Sequence, residues 1–321
     1  MLGTLRLALA ILVALSHAGV GILGLNPGVV AVVGFYVISG YVMTGLIRDH
    51  YSTPRLIGNF YVDRALRLFP HYLAVFGLVM IWFMATGARN EALARYPTFV
   101  DILQNLTIVP MNFFMFNDSA SFAPIPPSWS LGAEIQFYLV VPLLLLLSLR
   151  RHAMAISVGI YVIAAWGVIN TEWYGYRLLP GVLFMFLAGS LLYDSHHRGR
   201  SGARVVMLMV AGSIALAILL GLSGKLDLPF NRETLLGICL GVPLVGALAT
   251  LGRRPWDEML GNLSYGVFLN HFLVKWVFLD RQATGATTLA IYVAASIALS
   301  AVLFVVVERP ALALRRKLRR G

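Results

Sequence analysis

Cysteine is almost missing from this sequence. Cys239 is the only one in 321 residues, so no intramolecular disulfide can form. Charge is scarce as well: Asp, Glu, Lys and Arg make up 12% of the chain, against roughly 25% in soluble domains. Carboxylates are scarcer still, 14 of them facing 25 Lys and Arg. So little charge excludes an ordinary soluble globular protein. Internal repeats, low-complexity tracts and linkers are also lacking, so nothing marks a second domain.

What fills the space is apolar. Hydrophobic residues account for 59% of the chain, which places it among integral membrane proteins. Runs near the length of about 20 residues that a bilayer requires fall at Leu5 to Leu25, Val29 to Ile47, Leu68 to Thr86, Ser128 to Leu149 and Ala153 to Ile169. Five more follow at Leu178 to Tyr193, Val205 to Leu222, Leu235 to Leu251, Leu260 to Phe278 and Thr287 to Val307. The first of the ten could pass for a signal peptide and is taken as a span. The expectation is an all-α membrane protein: a bundle of about ten transmembrane helices forming one domain over 1–310, then a basic tail at 311–321. The stretch VDILQNLTIVPMNFFMF at 100–116 carries Asp101, Gln104, Asn105, Pro110 and Asn112. That is too polar for lipid, and predicts a non-spanning element packed on protein.

Basic residues orient the bundle. With ten spans and both termini in the cytoplasm, 18 of the 25 Lys and Arg lie inside, including Arg198, Arg200, Arg253 and the tail from Arg315 to Arg320. Orientation and anionic lipid headgroups account for the net charge of +11, so no nucleic-acid partner is expected.

Ionisable groups at membrane depth are costly and mark functional candidates. Glu134 is the one carboxylate well inside a span, and His17 and His271 are the two histidines there. At about 1.5 Å per residue, His17 lies roughly 16 Å from Arg6, and His271 roughly 16 Å from Leu260. Ser39 is also near mid-depth. Each has a plain structural reading: a satisfied packing histidine, a carboxylate paired for stability, a serine bonded to its own helix carbonyl. Together they suggest a carboxylate beside an imidazole, which makes the free ring nitrogen a base. Arg64 and Arg67, three apart, share a helix face at the entrance to a span interrupted by Pro70. They read either as inside markers or as a phosphate clamp.

Six motifs now stand in order: Arg6 with His17, FYVISGY at 35–41, RALRLFPHY at 64–72, WSLGAEIQFY at 129–138, LSYGVFLNH at 263–271 and ERP at 308–310. In these the chain resembles the acyltransferase-3 (OafA-like) integral membrane acyltransferases. The resemblance implies transfer of an acyl group, usually acetyl from cytoplasmic acetyl-CoA, to a hydroxyl of a glycan or lipid-linked sugar. It makes His17 the essential base and puts Arg6, Arg64 and Arg67 on the CoA side of a polar tunnel. Glu134 would then orient or charge His17, within direct or one-water reach, or bind the acceptor. Ser39, Trp129, Ser130, Tyr138, Tyr265 and His271 would support substrate. A covalent acyl intermediate on His17 or Ser39 stays open. The chain departs from the family pattern where many members carry two arginines and it has Asp63-Arg64. Asp63 could weaken donor binding or pair with Arg67. After Pro310 only the basic tail is expected, without the hydrolase-like domain fused to some members. No metal is implied, and a bacterial inner membrane is the expected location. The rival reading is a proton-coupled transporter with His17 and Glu134 as relay.

Overall fold

The computed structural model describes residues 1–197, 202–252, 254–278 and 285–318, with side chains as far as Leu314. Arg198, Arg200, Arg253 and the side chains of the Arg315 to Arg320 cluster, part of the orientation argument above, lie outside the described set. Among the described residues the regular structure is helical: α1 Leu2–His17, α2 Pro27–His50, α3 Ile57–Thr86, α4 Phe99–Thr107, α5 Phe114–Asn117, α6 Ser128–Leu146, α7 Arg150–Ala165, α8 Leu179–His197, α9 Ala203–Leu222, α10 Asn231–Leu248, α11 Pro255–Phe278, α12 Ala286–Leu303 and α13 Arg309–Leu318.

Among the described residues, six helical stretches are long and apolar enough to cross a bilayer, or up to seven if one sharply bent pair counts as a span. The protein is therefore a multi-pass integral membrane protein. The other four expected spans are helices too, but α1 and α7 have 16 residues each, and α10 and α11 carry Glu233, Asp257 and Glu258 in their first turns.

Two expected boundaries are corrected. The first helix stops at His17 instead of running on to Leu25. Gly19 and Gly24 take positive φ, which glycine adopts without strain, and Ile22 bridges back to Leu25. His17 thus sits at a helix end, beside a turn. The third helix begins eleven residues early, at Ile57, and runs through Pro70 without breaking, so Arg64 and Arg67 lie within it.

The 100–116 stretch folds as a bent pair, with α4 and the segment after it meeting at 104°. Thr98 and Asp101 cap α4 reciprocally. Arg95 pairs with Asp101, and Asn105 Nδ2 donates to the Phe122 carbonyl at 3.0 Å. Burial pushes the Asp101 carboxyl up, but hydrogen bonds from Arg95 and Thr98 outweigh it and hold the group below its usual range. Phe99, Val100, Leu103 and Leu106 point outward while Asp101 and Asn105 are buried. Polar side in and apolar side out is the arrangement of a helix resting in lipid against protein.

At the centre stand α2 and α8, whose span windows are 72% and 83% buried; α9 and the α12 stretch, at 11% and 22%, form the periphery. Small residues let α2 and α8 touch. A Cβ on Gly40 would lie 1.7 Å from the Phe186 carbonyl oxygen, and one on Gly189 would lie 1.9 Å from that of Val37. Gly189→Val is therefore expected to force the helices apart, costing about 1 to 3 kcal/mol or more and lowering the unfolding temperature in detergent. Gly212→Val on α9, where nothing lies within 4 Å of the added Cβ, should leave that temperature nearly unchanged.

Candidate active site

His17 and His271 meet. α1 runs alongside α11, and His17 Nδ1 lies 3.0 Å from His271 Nε2. The other nitrogen of His271, Nδ1, lies 3.1 Å from the Val267 carbonyl oxygen. That carbonyl can only accept, so His271 Nδ1 carries its proton and the neutral ring leaves Nε2 as an acceptor. His17 Nδ1 must then donate, and the lone pair of a neutral His17 is left on Nε2. His271 is fully buried, with the rings 5.2 Å apart and nearly parallel and Phe272 against both. Lys275 donates to the His17 backbone carbonyl, placing a cation at the C-terminal end of α1.

His17 faces a small cleft of about 90 Å³, bordered also by Ser16, Asn26, Trp129, Ser130 and Arg177. Arg177 was counted from sequence only as an outside charge. Its guanidinium lies 4.5 Å from the Trp129 ring, 5.0 Å from Phe114 and 5.4 Å from Tyr176. Glu172 holds one edge, with Nη2 at 2.6 Å from Oε1. The aromatic flanks in WYGYR were the available signal, since an arginine among rings is a cation–π arrangement. Asn112 braces this wall, donating to the backbone carbonyls of Trp129 at 3.0 Å and Arg177 at 3.1 Å. Ser130 donates to the Pro127 carbonyl at 3.0 Å, fixing the start of α6.

Glu134 belongs to another level. Its Oε1 accepts from Ser39 Oγ and from Tyr138 OH, each at 2.6 Å. The serine thus serves a neighbouring helix. The expected Glu134–His17 link is corrected accordingly, because the ring partner of His17 is His271. Depth explains why. Gly28 packs on Ser16, next to His17, and Ser39 lies eleven residues further along α2, about 16 Å away. Arg6 falls in electrostatic range of Glu134, Tyr138 and Arg64. Arg6 and Glu134 are both half-buried. Arg6 makes no side-chain hydrogen bond or ion pair among the described residues.

The other two arginines are engaged. Arg64 is buried beside Met43, with Nε 3.1 Å from Asp63 Oδ2, so Asp63 pairs with its neighbour. Arg67 pairs with Glu308 of the ERP motif, whose second oxygen lies 2.9 Å from His71 Nδ1. Arg67 also lies over the Tyr265 ring at 5.5 Å, and the Tyr265 hydroxyl donates to the Leu68 carbonyl at 2.9 Å. The structure therefore gathers the expected residues into three groups: His17 and His271 with Trp129 and Ser130; Ser39, Glu134 and Tyr138 near Arg6; and Arg67 with Tyr265, near Arg64 on the same helix.

Comparison with known proteins adds to this geometry. The family described as Acyltransferase domain (Acyl_transf_3) matches residues 2–307. Nodulation protein 10 of Rhizobium leguminosarum bv. viciae is 26% identical over 91% of this chain and 83% of its own. BcsY of Komagataeibacter xylinus, named by inference as a membrane-bound transacylase, is 28% identical over 97% of this chain and 82% of its own. O-acetyltransferase OatA of Staphylococcus aureus is 30% identical over 40% of this chain but only 22% of its own length. No solved structure matches. A match over nearly the whole chain, on an all-helical membrane protein that brings two motif histidines to one cleft, shows that this chain belongs to the acyltransferase-3 family.

Proposed function

We propose that the chain moves an acyl group, acetyl in the first instance, from acyl-CoA to a hydroxyl of a glycan or lipid-linked sugar, with His17 as base. The observation that carries this reading is the hydrogen-bonded pair of imidazoles that leaves His17 Nε2 as the lone-pair nitrogen beside a cleft. The acceptor hydroxyl donates to Nε2, and its oxygen adds to the thioester carbonyl carbon as the proton passes to His17. The tetrahedral oxyanion collapses, the C–S bond breaks, and the departing thiolate takes the proton back from His17. Ester and free CoA result, and His17 is neutral again.

On this reading the Arg64 end faces the cytoplasm of a bacterial inner membrane, both termini are cytoplasmic, and ten helices of one domain enclose a polar tunnel. CoA phosphates would meet Arg6 and Arg64, and the acyl group would rise past Glu134 and Ser39 to His17. Glu134 then balances the Arg6 charge and shapes the passage. Glu134 is bonded to Ser39 and Tyr138 while His17 is bonded to His271, which counts against a transporter relay that needs His17 and Glu134 in hydrogen-bonded sequence.

Transfer of radiolabelled acetyl from CoA by the purified protein tests the whole reading, and a folded His17→Ala variant should lose it completely. Full turnover in that variant would end the proposal of His17 as base. The arginines should differ. Arg6→Ala should raise the KM for acetyl-CoA about tenfold, as a charge-assisted phosphate contact of roughly 1.5 to 3 kcal/mol implies, without a comparable change for acceptor. Arg67→Ala strips a buried carboxylate of its cation and should chiefly destabilise, by about 3 to 5 kcal/mol in detergent unfolding. A purely kinetic effect on the donor, with stability intact, would instead put Arg67 in the CoA site.

A further inference from the structure

α1 has no capping side chain of its own at its N-terminus. α11 supplies one. Asp257 Oδ2 accepts from the Gly3 N–H at 3.0 Å, while Oδ1 accepts from the Thr4 N–H at 2.8 Å and the Thr4 hydroxyl at 2.7 Å. Two of the four N–H groups that a helix start leaves unsatisfied are thereby held by a carboxylate from a distant helix. Its negative charge also suits the positive end of the helix dipole.

The offset is what matters. Gly3 and Asp257 are 254 positions apart, and so are His17 and His271. The two helices run parallel, so the same register that seats the cap seats the imidazole pair, about 21 Å further along. Little cushions that register. A Cβ on Gly3 would lie 1.7 Å from the Asp257 carbonyl oxygen and 3.0 Å from the Gly261 nitrogen, so the two backbones touch where the cap forms. Slipping by one residue moves His17 about 1.5 Å along its axis. The same slip turns the helix by about 100°, which together with the shift takes Nδ1 away from the His271 Nε2 it meets at 3.0 Å.

We propose that Asp257 is a positioning residue for acyl transfer: by capping α1 it sets the axial register that brings the His17 Nδ1–H to His271 Nε2. The proposal rests on the reading of His17 as base. Asp257 touches neither substrate nor the reacting atoms. It acts through the length of α1, and Lys275 on the His17 carbonyl secures the far end.

The test pairs kinetics with a direct reading of register. In a Cys239→Ser background, Ala10→Cys and Ser264→Cys place two thiols at the same 254 offset, in positions buried between cap and histidines. Oxidation should cross-link them efficiently when Asp257 is present. Asp257→Ala is expected to lower the cross-linked fraction and, in the chain without the added cysteines, to lower kcat for acetyl transfer about tenfold. The KM for acetyl-CoA should stay within about twofold. Asp257→Asn keeps one accepting oxygen and should fall between the two on both readouts. It also carries the test if the alanine variant does not fold. His17→Ala should abolish turnover yet leave the cross-link intact. Wild-type kcat and cross-linking in the folded Asp257 variants, with His17→Ala inactive, would overturn the positioning role and leave the base assignment standing. A raised KM with kcat unchanged would overturn it as well, because Asp257 would then serve the donor. An active His17→Ala would instead bring down the reading beneath it.

Discussion

One helix holding another at both ends is the constraint on which the site depends. α11 meets the N–H groups that open α1 with the Asp257 carboxylate and the carbonyl of His17, at the other end of α1, with the Lys275 ammonium. Each charge opposes the partial charge of the helix end it faces. The helix so held is 16 residues long and stops at His17, the base of the proposed reaction. Because α1 ends there, His17 lies beside a turn, and its ring faces the cleft while its backbone stays fixed. A longer helix, such as one running to Leu25, would have left the same ring surrounded by its own next turn.

Charge inside the bundle is matched in small, closed groups. Arg64 has Asp63, and Arg67 and His71 share Glu308. Further along α2, Arg48 and Arg150 share Asp194. Buried ions need such partners, since each unpaired one costs several kcal/mol. Against that background Arg6 stands out, with Glu134 and Arg64 in electrostatic range but no ion pair among the described residues. A cation left in that condition is where an anionic ligand would gain most. Glu134, fixed by two hydroxyls, keeps the local field from being wholly positive.

Much of this was legible in the sequence, and the errors share a cause. Depth arithmetic correctly put His17 and His271 at one level, and polarity correctly set 100–116 apart as an element packed on protein. The same arithmetic put Glu134 too near His17, because it measured each residue from its own helix end and assumed that all ends lie in one plane. The glycines at 19 and 24 end the first helix early, and Pro70 fails to end or start the third. Partner choice was less legible still. Spacing offered Arg67 to Asp63, but it could not show that Asp63 pairs with the adjacent Arg64 or that Glu308 comes from more than two hundred residues away to meet Arg67. Arg177 was missed since its role depends on rings from three other segments, Phe114, Trp129 and Phe230, that only the fold assembles.

The use of a second imidazole where a carboxylate was expected changes the chemistry in a definite way. A carboxylate on Nδ1 would fix the tautomer and also stabilise the imidazolium that forms when Nε2 takes a proton. His271 fixes the tautomer just as firmly, through the Val267 carbonyl, but brings no charge. In a low-dielectric interior that difference is large. On the proposed reading, a protonated His17 is then a short-lived acid that returns its proton to the thiolate leaving the same carbonyl carbon. On the same reading, acyl transfer between two neutral partners, alcohol and thioester, needs only such a loan of a proton, and a neutral pair of imidazoles is suited to make it without stranding charge in the membrane.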